Sequence, residues 1–143
     1  IDTINNFIIP KFESLKNEFI CFGQDLFGNQ FLIDNEANYY FFNLECDEYI
    51  IVTNGFYQWI KAVKSDIKYY SGINLLKKWI NKNGQLEPGK RLCPILPFIA
   101  GGEYSVVNLY SLDFFFFFFY NSFIAQQLND LPDGTEVKIV IVD

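Results

Sequence analysis

Carboxylates are the only side chains of this sequence whose types and surroundings fit catalysis. Asp25, Asp34, Glu103 and Asp113 lie near predicted turns, glycines or strand ends. Two carboxylates at a suitable separation could serve glycoside hydrolysis. Isolated acids at turns more often accept hydrogen bonds from free backbone N–H groups. Because nothing in the sequence sets the separation of a pair, we predict no catalytic residues.

Other catalytic chemistries lack their characteristic residues. The chain has no histidine, which removes the commonest general base and the commonest metal ligand. Cys21, Cys46 and Cys93 are widely spaced, which argues against a zinc site or a disulfide framework. Neither G-x-S-x-G nor S-x-x-K is present, and residues 88–91 lack the spacing of a phosphate loop. We therefore predict no metal, no cofactor and three buried, reduced thiols.

The secondary structure that must position these side chains is predicted to be mainly strands in the first half of the chain. Residues 1–17 predict a helical lead-in that Pro10 interrupts, ahead of a core over residues 18–142. Short aromatic and β-branched runs separated by polar turns predict an antiparallel meander. Its four strands are predicted over residues 18–23, 30–34, 39–44 and 49–52. Thr53 or Asn54 is the predicted cap of the next element.

The sequence of the second half of the chain predicts helices, with short strands between and after them. Apolar residues at helical spacing predict a helix over 55–69 and a second one that ends near Gly84. Strands are predicted over 104–110 and 137–142. Asp113 is the predicted N-cap of a helix that runs to about residue 129.

Six consecutive phenylalanines, residues 114–119, open that last helix. They would cover every face of a helix and both faces of a strand. The favoured interpretation is a central core element. The alternative is an exposed aromatic surface that binds a partner.

Composition and charge limit the classes of partner. The 143-residue chain is 50% hydrophobic, with 17 Phe and 9 Tyr, which fits one folded domain and excludes a disordered one. The net charge is −6, and Arg91 is the one arginine, so nucleic-acid binding is not expected. No apolar run reaches the ~20 residues that cross a bilayer, so no membrane association is expected. The charge either serves solubility or attracts a basic partner.

Residues 22–31, FGQDLFGNQF, resemble the strand–turn–strand segment of the SUKH superfamily. This superfamily includes fungal glucan-synthesis regulators and bacterial toxin-immunity proteins. Residues 56–60, FYQWI, fall where such proteins carry a similar helix. The resemblance covers residues 18–140, and its later motifs are Pro88-Gly89-Lys90-Arg91-Leu92, Gly101-Gly102-Glu103-Tyr104, Leu112-Asp113 and Leu131-Pro132-Asp133-Gly134. One departure is the phenylalanine run, where related chains mix charged and apolar residues.

The resemblance implies a single SUKH-like α+β domain over residues 1–143, with a mostly antiparallel sheet and flanking helices. It also implies a binding role without catalytic residues. We therefore expect a cytoplasmic, non-enzymatic, immunity-type protein that binds and neutralises a cognate toxin, such as a basic toxin domain. The predicted contact residues are Tyr39, Tyr40, Glu45, Asp47 and Glu48. The alternatives are a scaffold of cell-wall (glucan) synthesis and a carboxylate-dependent hydrolase.

Overall fold

The computed structural model is an α+β fold, with a four-stranded antiparallel sheet, a two-stranded sheet and flanking helices. It describes residues 2–16, 19–128, 131–132 and 134–138. The strands are β1 Ile20–Gln24, β2 Gln30–Ile33, β3 Asn38–Asn43, β4 Glu48–Asn54, β5 Lys90–Pro94 and β6 Leu109–Asp113. The α-helices are α1 Asp2–Ile8, α2 Phe56–Ser65, α3 Ile67–Ser71, α4 Ile73–Asn83 and α5 Phe114–Leu128.

The first four strands form the predicted antiparallel meander, in the order β1-β2-β3-β4. Phe31 of β2 lies opposite Phe41 of β3, which lies opposite Ile50 of β4. Short turns keep strands that follow each other in the chain adjacent in space. The sheet therefore has two edges, β1 and β4.

Helices cover both faces of this sheet because successive side chains of a strand point to opposite sides. On one face, Leu32 and Phe42 join a core that also contains Ile8 of α1 and Phe118 of α5. On the other face, the Phe31 ring lies 5.5 Å from the Trp59 ring of α2. A second core joins α4 to the two-stranded sheet and contains Leu26, Phe27, Trp79, Leu92 and Leu109.

Helix α5 begins as predicted. Asp113 Oδ1 accepts a hydrogen bond from the Phe115 N–H at 3.0 Å, so its side chain caps the helix. The phenylalanine run is core on one side only: Phe117 and Phe118 are buried, and Phe115, Phe116 and Phe119 are exposed. The interpretation of the whole run as core therefore holds for part of it.

Two predictions around α2 are wrong. Gly55, at φ 86°, occupies the N-cap position of α2 without a side-chain hydrogen bond, whereas Asn54 donates to Asn38 Oδ1 at 2.9 Å. The helix predicted over 55–69 is two helices, because the Asp66 side chain accepts from the Tyr69 N–H and starts α3.

Two predicted strands also differ from the structure. In the segment 104–110, residues 106–108 form a 3₁₀ turn and β6 begins only at Leu109. The Asn108 side chain accepts from Leu96 N–H and donates to Leu96 O, which holds this turn against the preceding loop. Of the strand predicted over 137–142, residues 137 and 138 are not in a strand, and the remainder lies outside the described residues.

Candidate protein-binding surface

The two tyrosines predicted to contact a partner differ in burial. Tyr39 is buried, and its ring stacks on Trp59 at 5.8 Å. Tyr40 is half-buried, and its hydroxyl donates to Asp34 Oδ2 at 2.8 Å. Its ring also lies 5.4 Å from that of Tyr49. Both side chains therefore contribute to packing of the sheet.

The acidic turn between β3 and β4 points mainly into the protein. Glu45 is buried and accepts from the Ile99 N–H at 2.9 Å. Asp47 is buried and accepts from the Glu13 N–H and the Ser14 hydroxyl. Only Glu48 of the five predicted contact residues is exposed. Glu45 and Asp47 thus tie this turn to neighbouring segments of the chain.

The exposed surface next to these residues is strand β4 itself. Tyr49, Ile50 and Ile51 are exposed, with 54% of Ile50 and 62% of Ile51 accessible to solvent. Within the described residues, no backbone group of Tyr49–Val52 bonds to a segment other than β3. Three consecutive large apolar residues therefore lie on an open sheet edge.

Helix α2 continues this apolar exposure on the face of the sheet that Ile50 shares with Phe41. It follows β4 directly and packs along it. Phe56 and Tyr57 of its first turn are exposed. The Phe56 ring stacks on Trp59 at 5.8 Å, which gives it a rigid base. We name Tyr49, Ile50, Ile51, Phe56 and Tyr57 the β4–α2 surface.

At the opposite sheet edge, β1, a side chain occupies the backbone of one residue. Asn5 of α1 accepts from the Cys21 N–H at 2.7 Å and donates to the Cys21 carbonyl at 2.9 Å. These are the hydrogen bonds that a further strand would make. The two edges of this sheet therefore differ: Asn5 occupies the backbone of Cys21 in β1, whereas in the part of the chain that the structure describes only β3 bonds to the backbone of Tyr49–Val52.

A cavity of about 660 Å³ lies beside β4, between the sheet and helices α3 and α4. Its wall includes two carboxylates, Asp25 and Glu48, and two lysines, Lys68 and Lys78. Its other lining residues include the aromatic side chains Phe27, Phe41, Tyr69 and Tyr104. The cavity is large enough for a small ligand or for side chains of a partner.

Asp25 is the buried acid of this cavity, and its carboxylate is held by the loop between β1 and β2. Its Oδ1 accepts from the N–H groups of Phe27 and Asn29, and its Oδ2 accepts from Asn29 Nδ2 at 2.9 Å. Burial raises the pKa of Asp25 to about 7, while these hydrogen bonds and the charge of Arg91 act in the opposite direction. This carboxyl therefore changes its protonation near neutral pH.

The cysteines are not activated nucleophiles. All three are free thiols. Burial raises the pKa of Cys21 to about 12, and the pKa values of Cys46 and Cys93 to about 11. A raised pKa keeps the thiol protonated and unreactive at neutral pH. Among the described residues, no group of three His, Cys, Asp or Glu side chains is placed to hold a metal ion.

None of the described helices combines the length and the apolar composition needed to cross a membrane. The chain matches no protein-family model, no curated protein and no solved structure. The candidate surface therefore stands on its geometry alone. Sequence reasoning missed Ile50 and Ile51 because a strand's own residues do not show whether it lies at an edge.

Proposed function

We propose that this chain is a non-enzymatic protein-binding domain that recognises a basic partner through the β4–α2 surface. The observation that carries the proposal is the exposed run Tyr49, Ile50 and Ile51 on an open sheet edge. Proteins usually blunt such edges with charge, proline or a covering segment, because an open edge pairs with other chains. An edge left open and apolar is typical of a strand that receives a partner strand.

The partner fits this surface as an extended, positively charged segment. Its backbone would pair with β4, and its apolar side chains would contact the exposed side chains of the β4–α2 surface. Glu48 is exposed at the start of β4. Glu36 is exposed near its end, where Asn54 donates to the Glu36 carbonyl at 3.3 Å. These carboxylates and the net charge of −6 complement a basic chain.

The resemblance to the SUKH superfamily supports an immunity-type role for such binding. In this proposal the chain acts in the cytoplasm, and its partner is a cognate toxin that it neutralises by covering it. The α+β class with an antiparallel sheet is the class that the resemblance implies. A regulator of cell-wall synthesis would use the same surface on a different partner, and the genes beside this one separate the two roles.

The test uses the purified products of the genes adjacent to the one that encodes this chain. We expect one of them to form a stable complex whose dissociation constant rises with NaCl concentration, because the contact is partly electrostatic. We also expect the complex to suppress the toxic activity of that product. The proposal is overturned if these products neither bind nor are inhibited.

Carboxylate-dependent hydrolysis is the second candidate, because Asp25 and Glu48 line one cavity. The raised pKa of Asp25 suits a general acid. The three hydrogen bonds that Asp25 accepts from its loop fit a structural role for this residue equally well. Turnover of chromogenic glycosides that both Asp25→Asn and Glu48→Gln abolish would favour this candidate over binding.

A further inference from the structure

The outer face of α5 is a second apolar surface, separate from the β4–α2 surface. Phe115, Phe116, Phe119 and Phe123 are all exposed, with 69% of Phe116 and 61% of Phe119 accessible. A helix turns by about 100° per residue, so these four side chains fall within one arc of about 100°. The buried residues Phe117, Phe118, Asn121, Ser122 and Ala125 occupy the opposite side. We name the four exposed rings the α5 face.

From this face we infer that two copies of the chain associate through α5, packed antiparallel about a two-fold axis. Such an interface brings the same patch of both copies together, so the patch must complement itself. Rings at positions 115, 119 and 123 form a ridge along the i, i+4 row of the helix. Ridges of this kind pack into the grooves of a second helix.

The absence of charge on α5 favours a second copy as the occupant. Residues 114–128 contain no Asp, Glu, Lys or Arg, so two copies bring no like charges together along this helix. Beside the α5 face, the Lys11 ammonium lies 5.4 Å from the centre of the Phe119 ring. A basic partner would find no acidic group on α5, and it is expected at β4 instead.

The exposed area is close to what a dimer requires. An aromatic side chain presents 150–250 Å², so the four partly exposed rings offer roughly 450 Å² per copy. Two copies would bury roughly 900 Å² from these rings alone, just below the ~1,000 Å² that is the lower limit for a specific interface. The half-exposed Phe7, whose ring lies 4.9 Å from that of Phe115, adds area at the rim.

The experiment is sedimentation equilibrium of the purified chain over a wide range of protein concentration. We expect a monomer–dimer equilibrium whose dissociation constant falls or stays the same as the NaCl concentration rises. Apolar contact dominates the interface, and salt screens the repulsion between two chains that each carry a net charge of −6. The double variant Phe116→Ser/Phe119→Ser should raise the dimer dissociation constant by about tenfold or more, since it removes two central rings.

Two controls make the result specific to apolar contact on this face. Phe116→Leu/Phe119→Leu should keep most of the dimer, because leucine is also large and apolar. Tyr57→Ser removes a side chain that is 65% exposed on α2 and should leave the dimer unchanged. A chain that stays monomeric at every concentration overturns the inference, as does a dimer that the Phe116→Ser/Phe119→Ser change does not weaken.

The salt dependence also separates this inference from the proposed function. Binding of a basic partner at β4 weakens with salt, whereas association of two copies through α5 does not. A dimer that Ile51→Lys dissociates and Phe116→Ser/Phe119→Ser leaves intact would place self-association at β4 and refute the role of α5.

Discussion

Asp25 and Asp34 occupy equivalent positions in two loops of the same construction. In each loop the aspartate Oδ1 accepts from the N–H groups two and four residues later, at 2.8–2.9 Å. In each, Oδ2 accepts from the side chain of the following asparagine, Asn29 or Asn38. The fourth residue of each loop has positive φ: Gly28 at 74° and Ala37 at 60°. The two loops therefore place the same loop hydrogen bonds in buried and in more exposed surroundings, and Asp34 accepts one further bond, from the Tyr40 hydroxyl.

The first prediction is that these two aspartates titrate far apart. Burial raises the pKa of Asp25 to about 7, whereas hydrogen bonds, chiefly from the Asn38 side chain, lower the pKa of Asp34 to about 2. Carbon-13 NMR of the carboxyl groups as a function of pH measures both values. Similar pKa values for the two groups would show that burial does not control Asp25.

The two pKa shifts should make the free energy of unfolding depend on pH in opposite directions. Between about pH 4 and 7, the folded chain holds the Asp25 proton that the unfolded chain has lost, so the Asp25 contribution to the unfolding free energy falls as pH rises. The contribution of Asp34 is present above its unfolded pKa and is lost as the pH falls from about 4 to about 2. Urea unfolding across this range should therefore give a maximum near pH 4 from these two groups. In the Asp25→Asn variant, the decline that Asp25 causes between pH 4 and 7 should disappear.

The second prediction compares the positive-φ residues of the two loops. A Cβ at Gly28 would lie 2.4 Å from Phe117 Cε1, so Gly28→Ala should lower the unfolding free energy by about 3 kcal/mol through overpacking and strain. Ala37→Gly relieves strain but adds freedom to the unfolded chain, so its effect should stay within about 1 kcal/mol. Urea unfolding of both variants provides the comparison, and equal effects would contradict it.

The third prediction concerns neighbouring members of the phenylalanine run. Phe118 is fully buried in the core, so Phe118→Ala should lower the unfolding free energy by about 3–5 kcal/mol. Phe116 lies on the outer side, so Phe116→Ala should change it by no more than about 0.5 kcal/mol. Unfolding is measured at a protein concentration low enough to keep copies apart. A large loss for Phe116→Ala would show that the α5 face is buried within one chain.

The fourth prediction isolates the β4–α2 surface. Ile51→Lys places a positive charge on the open edge, so it should weaken binding of a basic partner by about tenfold or more. Because Ile51 is exposed, the unfolding free energy should change by no more than about 0.5 kcal/mol. Val107→Lys is the matched control, since Val107 is 69% exposed in the loop before β6. Titration calorimetry with the partner measures both variants, and equal losses would argue against β4 as the contact.

Local patterns predicted much of this fold. Short aromatic and β-branched runs separated by polar turns identified the four strands of the meander, and the Asp113 cap identified the start of α5. These elements are coded by residues close together in sequence. The predictions failed where a distant residue decides the structure. Asn108 turns the backbone by bonding to Leu96, twelve residues away, and no local pattern at 104–110 shows that contact.

The candidate site was harder to predict for the same reason. An acidic turn such as 45–48 usually faces solvent, but Glu45 bonds to Ile99 and Asp47 bonds to Glu13. Exposure of Ile50 and Ile51 depends on β4 being the last strand of the sheet, which is a property of the assembled fold. Similarly, the six identical residues 114–119 do not show which rings are buried, because burial depends on how α5 packs against the sheet.

The Asn5 side chain that occupies the Cys21 backbone limits how large an assembly of this protein can become. A further strand that approached β1 would meet an occupied backbone at Cys21, whereas β4 has no such obstacle among the described residues. Addition of strands at β4 is therefore favoured over addition at both edges of this sheet, which works against edge-to-edge growth into fibres. Together with pairing through α5, this predicts a closed particle that contains two copies of each molecule.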